Sequence, residues 1–161
     1  MSSSGPSEDA KQTVREEARY VIDEQLQTLR DIDQKAMATA RIIGLVLGLL
    51  ASAASLADQP RTVLNWWTFS GGIALLLSLC ASVVTYSVDR PSYGLGPGYF
   101  DSKFGSFDSD EGVSDDLFDR YADWIDDNSE EISTNGTYLL IAQGLFLFGL
   151  ILIASGIYSI L

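Results

Sequence analysis

Three stretches of this sequence carry no charged residue, and they limit the possible folds more than any other feature. They run from Ile42 to Ala57, from Thr62 to Val88 and from Ile132 to Leu161. A helix needs about 20 mostly apolar residues to cross the hydrocarbon core of a bilayer. The second and third stretches exceed that length, and the first reaches it when Ala36 to Ala40 are included. The sequence therefore predicts an all-α integral membrane protein with three transmembrane helices.

The remaining residues are too few for a separate globular domain of ordinary size, since the chain has 161 residues. The first 35 residues are polar, so we expect no signal peptide. The predicted segments are a disordered stretch 1–11, a cytoplasmic amphipathic helix 12–36, a first span 37–57, an outer loop 58–65, a second span 66–87, an irregular acidic cytoplasmic loop 88–113, a cytoplasmic amphipathic helix 114–134 and a third span 137–160.

The distribution of basic residues predicts the orientation in the membrane. Nine of the ten Lys and Arg residues lie before the first span, at its start or in the second connection, and only Arg61 lies in the first connection. Cytoplasmic segments near spans are enriched in Lys and Arg. We therefore predict a multi-pass protein of the inner membrane, with the N-terminus and residues 88–137 in the cytoplasm and the C-terminus outside.

The residue inventory excludes several classes of function. The formal net charge is −12, there is no histidine, and Cys80 is the single cysteine. An acidic surface repels nucleic acid, so no nucleic-acid partner is expected. We also predict no metal and no cofactor. Cys80 is interpreted as a packing residue, with a reactive thiol as the alternative. The abundance of Asp is typical of proteins from salt-loving archaea, and the alternative is simply an acidic cytosolic loop.

The N-terminal segment has the pattern of one long helix. Ala18, Ile22, Leu29, Ile32 and Ala36 form an apolar stripe, and neither Pro nor Gly occurs between Lys11 and Arg41. Gln25 interrupts the stripe. This spacing predicts a helix that continues into the first span and packs on another helix of this chain or of a neighbouring chain.

A second amphipathic helix is predicted to begin at Ser114, an N-cap followed by acidic residues in the first turn. Its apolar face is expected to dock on the N-terminal helix in an antiparallel cytoplasmic bundle, and Asn135 and Gly136 permit a bend before the third span. The predicted docking face consists of Leu117, Tyr121, Trp124 and Ile125.

Small residues mark the faces on which the spans are expected to pack, because close backbone approach drives association between helices in lipid. The first span carries a stripe at four-residue intervals, and the third span repeats glycine after seven residues. The predicted packing residues are Ala40, Gly44, Gly48, Ser52, Gly149 and Gly156. Packing within one chain and homo-oligomerisation both explain these faces, and the number of small-residue faces favours an oligomer.

Ionisable groups are almost absent from the spans, which argues against a proton relay or an intramembrane enzyme. Arg41 lies about one turn inside the first span. Its long side chain either extends toward the headgroups or contacts an anionic ligand. The sequence therefore predicts a protein that is not an enzyme.

The residues that enter the first span, Asp33-Gln34-Lys35-Ala36, resemble the Asp-x-Lys-Ala element of membrane effectors in Pycsar-type antiphage systems and their two- and three-span relatives in nucleotide-signalled immunity. In that family the element often ends an N-terminal helix that is followed by two closely spaced spans. The resemblance is best over residues 20 to 88. It implies that a cyclic nucleotide from a partner cyclase binds cytoplasmic residues and triggers oligomeric permeabilisation of the membrane. Asp33, Lys35 and Arg41 are implied to lie nearest the switch.

Two functions remain open. The first is a non-enzymatic effector that assembles in the lipid bilayer and impairs its barrier after a cytoplasmic cyclic-nucleotide signal, as an antiviral defence. The alternative is a structural or scaffold subunit that recruits a soluble partner through its cytoplasmic helices.

Overall fold

The computed structural model describes residues 7–56, 65–87 and 110–159, and these residues form three long helices. Their bounds are Glu8–Leu56 for α1, Trp66–Ser87 for α2 and Asp110–Tyr158 for α3. Each helix contains a stretch that is long and apolar enough to cross a membrane. The predicted all-α membrane fold with three spans is confirmed. The stretch 1–6, residues 58–64 of the outer loop and residues 88–109 of the acidic loop lie outside the described residues.

α1 is one continuous helix through the predicted cytoplasmic segment and the first span, as the absence of Pro and Gly between Lys11 and Arg41 predicts. It begins four residues earlier than predicted. Ser7 explains this start, because its hydroxyl accepts a hydrogen bond from the Ala10 amide at 3.3 Å and its carbonyl accepts one from the Lys11 amide at 3.0 Å. Ser7 therefore caps the first turn.

α3 joins two segments that the sequence analysis separated. It starts at Asp110 rather than at Ser114, and both Asn135 and Gly136 are helical. Backbone groups close to the membrane must form their hydrogen bonds within the helix, and this requirement outweighs the weak helix preference of a single glycine.

The chain divides into two compact units. The extension unit comprises Met1–Leu29 and Arg90–Ile132, and the membrane unit comprises Arg30–Asp89 and Ser133–Leu161. In the extension unit, Ile22 and Leu29 of the predicted apolar stripe are buried. Gln25, which interrupts that stripe, donates a hydrogen bond from Nε2 to the backbone carbonyl of Ile125 at 3.0 Å. The N-terminal helix therefore pairs with the first part of α3.

The direction of this helix pair differs from the prediction. α1 and α3 are each unbroken, and the first and third spans of a three-span chain cross the bilayer in the same direction. The two segments of the extension unit therefore run parallel, and the predicted antiparallel arrangement is wrong. The prediction treated residues 114–134 as a separate helix that could turn back before the third span.

The membrane unit exposes most of its large apolar side chains. Leu45, Leu49, Leu140 and Ile151 are each more than 60% exposed, at 69%, 70%, 71% and 63%. Such a surface is unfavourable in water and suited to lipid. The protein is therefore a multi-pass membrane protein, in which buried positions mark contacts between helices.

Buried positions in the membrane unit recur at alternating intervals of three and four residues on α2 and α3. This spacing is typical of helices that pack side by side in a coiled-coil-like manner. On α2 the buried residues at this spacing are Thr68, Gly71, Leu75, Ser78, Ser82 and Thr85. On α3 they are Asn135, Leu139, Ala142, Gly149, Ile153 and Gly156.

Candidate functional site

The backbones of α2 and α3 approach each other closely in the membrane unit, at a point where two glycines face each other. A Cβ added to Gly71 would lie 2.7 Å from the carbonyl oxygen of Gly149, and a Cβ added to Gly149 would lie 3.0 Å from the carbonyl oxygen of Gly71. No other residue type fits at this contact without moving a helix. The predicted packing residue Gly149 therefore lies in a contact within one chain.

The Asn65 side chain links the start of α2 to the end of α3 by hydrogen bonds. Its Oδ1 accepts hydrogen bonds from the amide of Thr68 at 2.9 Å and from the Thr68 hydroxyl at 3.0 Å, which is the geometry of an N-cap. Its Nδ2 donates to the carbonyl of Gly156 at 2.8 Å and to the hydroxyl of Ser159 at 3.2 Å. Gly156, the second predicted packing glycine of α3, lies at this link between the helices. A Cβ at Gly156 would be 2.9 Å from the Thr68 amide nitrogen.

A line of polar side chains lies inside the membrane unit. It consists of Ser78, Ser82 and Thr85 of α2 and Asn135 of α3, which are 0%, 1%, 2% and 5% exposed, and we call it the polar seam. The Ser78 hydroxyl donates to the Ala142 carbonyl at 2.5 Å, across the helix contact. The Thr85 hydroxyl donates to the Ala81 carbonyl of its own helix at 3.0 Å. The Ser82 hydroxyl has no hydrogen-bond partner in the described part of the chain.

Apolar side chains fill the core next to the polar seam. Ile43, Leu75 and Ile153, one from each helix, are 0%, 0% and 6% exposed and form a single cluster, which we call the apolar layer. Half-buried apolar side chains surround it; they are Val46, Leu47, Leu50, Leu79 and Phe146. On α2 the apolar layer at Leu75 comes directly before Ser78, where the polar seam begins.

The small-residue stripe of α1 lies on a different surface. Gly44, Gly48 and Ser52 are exposed and Ala40 is half-buried. A Cβ added to Gly44 or Gly48 would meet no atom within 4 Å in the described part of the chain. The stripe is thus available to a partner outside the protomer. Cys80 also lies on an exposed face, of α2, and not in the protein core where a packing residue was expected.

The three predicted switch residues do not converge. Asp33 is half-buried, whereas Lys35 and Arg41 are exposed. Successive residues of a helix are rotated by about 100°, so Lys35 lies on nearly the opposite side of α1 from Asp33. Burial raises the pKa of the Asp33 carboxyl above its ordinary value of 3.8. The Arg41 guanidinium reaches back to the Met37 sulfur at 3.0 Å, which supports extension toward the end of the span.

The predicted docking face of α3 lies in the extension unit. Leu117, Tyr121, Trp124 and Ile125 are all half-buried. The Tyr121 and Trp124 rings meet edge to face, with centroids 5.5 Å apart and an interplanar angle of 88°. Asn128 of the same helix is fully buried, although it was not among the residues predicted for the docking face. Its spacing of seven from Tyr121 was the available signal, but a polar residue type is usually assigned to the surface.

Basic side chains in the extension unit gather near the start of α1. Lys11, Arg15 and Arg19, spaced four residues apart, line a cavity of about 320 Å³ together with Asp9, Gln12 and Glu16. Side chains four apart lie on one helix face. The four-residue spacing of these cations alone predicts a basic stripe, which was not among the predicted site residues.

No curated protein and no solved structure matches the sequence. A family model does match, and it is the Pycsar effector protein domain PycTM, over residues 17–161. The match includes the Asp33 to Ala36 element, all three spans, the second segment of the extension unit and its first segment from residue 17 onward. With a membrane fold and a match over nearly its whole length, the chain belongs to the Pycsar effector family and is a membrane effector of antiphage defence.

Proposed function

We propose that this protein is a non-enzymatic effector that assembles in the inner membrane and impairs its barrier when a cyclic nucleotide is produced in the cytoplasm. The observation that carries the proposal is the family match over residues 17–161, on a chain whose three spans present lipid-facing apolar surfaces. The proposed orientation places the N-terminus and residues 88–137 in the cytoplasm, where such a signal would arise.

The signal is proposed to act through cations on the cytoplasmic side, because the ligand carries a phosphate. Lys35 and Arg41 remain the first candidates for binding the phosphate, and Asp33 is proposed to take part in the switch from another face of α1. The cavity lined by Lys11, Arg15 and Arg19 is a second set of cations with the same chemistry. Substitution of Lys35 by Gln is expected to weaken the response if the first set binds the phosphate, whereas substitution of Arg19 by Gln is expected to weaken it if the second does.

Assembly is proposed to use the exposed stripe of Gly44, Gly48 and Ser52. Small residues four apart allow two helix backbones to approach closely in lipid. Their open surface in the protomer supports a contact with a second copy of the chain.

The deciding experiment records membrane potential in cells that express the protein. Cyclic AMP, GMP, CMP and UMP are supplied one at a time, by added nucleotide or by a co-expressed cyclase. Depolarisation with at least one nucleotide, and none without, is expected. An unchanged potential with all four would count against the effector function.

The alternative is a scaffold subunit that recruits a soluble protein. The half-buried face of Leu117, Tyr121, Trp124 and Ile125 supports it, because part of that face is still accessible. Recovery of a stable soluble partner from unstressed cells, together with no toxicity on overexpression, would favour this alternative.

A further inference from the structure

The interior of the membrane unit contains the polar seam and, next to it, the apolar layer. We propose that the polar seam and the apolar layer are the route and the gate through which the membrane barrier fails. The polar seam is the part that fills with water, and separation of Ile43, Leu75 and Ile153 is the opening step. This inference rests on the proposed barrier-impairing function and names the residues that carry it out.

The polar seam is continuous along the helix contact. Gly71 faces Gly149 and Ser78 bonds to Ala142, so α2 and α3 run antiparallel in a register that places Asn135 level with Thr85. Ser78 to Thr85 covers about 10 Å of helix at 1.5 Å per residue. The polar seam therefore reaches from the predicted cytoplasmic ends of the spans to the apolar layer.

Helix packing alone accounts poorly for the hydroxyls of the polar seam. Polar side chains hold membrane helices together by hydrogen bonds between helices, and among the three hydroxyls only that of Ser78 makes such a bond in the described part of the chain. The Thr85 hydroxyl donates to the Ala81 carbonyl of its own helix, so it does not link α2 to another helix.

Ser82 favours hydration most directly. Its hydroxyl is 1% exposed and has no partner among the described residues, and an unsatisfied buried polar group is unfavourable. Entry of water would satisfy it. Hydration of this position would therefore remove an unfavourable feature of the closed arrangement.

The apolar layer has the composition of a hydrophobic gate. Narrow apolar constrictions block ions by excluding water, and a small widening or a polar substitution admits both. The polar seam contains hydroxyl and amide groups and no formal charge, so we expect the open route to pass small cations and anions alike.

The first test compares two leucines of α2. Leu75→Ser places a hydroxyl in the apolar layer, whereas Leu77→Ser makes the same change on the surface, where Leu77 is 54% exposed. We expect Leu75→Ser to depolarise cells without any cyclic nucleotide, and Leu77→Ser to behave as the wild type. Equal behaviour of the two folded variants, judged by their elution as a single detergent-solubilised species, would overturn the proposal.

The second test does not depend on Leu75→Ser folding. In a Cys80→Ser background, Ser82→Cys and Val83→Cys are exposed to a charged methanethiosulfonate reagent, with and without the nucleotide that depolarises the wild type. Val83 lies on the lipid-facing surface and is 52% exposed. We expect labelling of Ser82→Cys to rise at least tenfold with the nucleotide, and Val83→Cys to stay unlabelled.

The outcomes separate this inference from the function on which it rests. A wild type that never depolarises with cyclic AMP, GMP, CMP or UMP rejects the proposed function. A wild type that depolarises while Ser82→Cys stays unlabelled rejects the polar seam as the route and leaves the function intact.

Discussion

Asp33 is the residue whose ionisation the fold opposes most clearly. Burial raises the pKa of its carboxyl above 3.8, so the folded state holds the proton more tightly than the unfolded chain does. The stability that this group contributes is complete below its ordinary pKa and is lost as the pH rises through the raised value. At neutral pH the charged carboxylate therefore lowers the free energy of unfolding.

We expect Asp33→Asn to raise the melting temperature of the detergent-solubilised protein at pH 7, and this gain to shrink as the pH falls toward 4. A neutral amide keeps the shape of the side chain without the desolvated charge. The matched control is Asp31→Asn, since Asp31 is exposed two residues away and should leave the melting temperature unchanged. A loss of stability in Asp33→Asn at pH 7 would show that the carboxylate makes a favourable interaction instead.

Single polar residues were the hardest part of the candidate site to predict. The apolar stripe of α1 was predicted correctly at Ile22, Leu29, Ile32 and Ala36, because apolar periodicity identifies a buried face. Ser82 and Asn135 lie on equally regular faces, but hydroxyl and amide groups occur both at contacts and at surfaces. Only the positions of the neighbouring helices decide between these environments.

The contact of Gly71 with Gly149 between α2 and α3 leaves no room for an added side chain. We expect Gly71→Ala to lower the free energy of unfolding by roughly 1–3 kcal/mol, the usual cost of excess volume in a packed contact, since the added carbon would lie 2.7 Å from a backbone oxygen. Denaturation in mixed micelles, followed by circular dichroism, measures the change.

Gly144→Ala is the control for this prediction. A Cβ at Gly144 has nothing within 4 Å, and alanine favours a helix over glycine by up to about 1 kcal/mol. The control should be neutral or slightly stabilising. If Gly71→Ala were equally neutral, the helices would be able to move apart freely at this point.

The exposed stripe of α1 makes a different prediction, about assembly. We expect Gly44→Leu to reduce cross-linking between copies of the protein in membranes, because a large side chain prevents close approach of two helices. Gly144→Leu places the same side chain on an exposed position of α3 and should leave cross-linking unchanged. Undiminished cross-linking of Gly44→Leu would place the contact between copies elsewhere.

At the element scale, the sequence predicted the existence and extent of the helices better than their pairing. Charge-free stretches determine where a helix crosses the bilayer, and the absence of Pro and Gly between Lys11 and Arg41 predicted that α1 continues from the cytoplasmic segment into the first span. An apolar face shows that a helix packs but not against which partner or in which direction. For that reason the parallel pairing in the extension unit was missed, as was the continuity of α3 through Gly136.

For the whole molecule, the orientation in the membrane is the prediction on which the signalling proposal depends. In a Cys80→Ser background, Tyr158→Cys should react with a membrane-impermeant maleimide in intact cells, since Tyr158 is 82% exposed and predicted to lie outside. Asp126→Cys, on the exposed face of the extension unit, should react only after permeabilisation. The reverse pattern would place the basic residues outside and remove the basis for a cytoplasmic signal.

The hydrogen bonds of Asn65 between α2 and α3 determine how these two helices can separate in the membrane unit. Two hydrogen bonds of this side chain cap the first turn of α2, and two more bind the last turns of α3. The predicted cytoplasmic ends of the second and third spans, near Thr85 and Asn135, have no comparable link among the described residues. Two helices that are linked at one end separate by rotating about that end. We therefore expect α2 and α3 to separate first near Thr85 and Asn135, at their predicted cytoplasmic ends. The contacts near Asn65, at the predicted extracellular side, are expected to separate last.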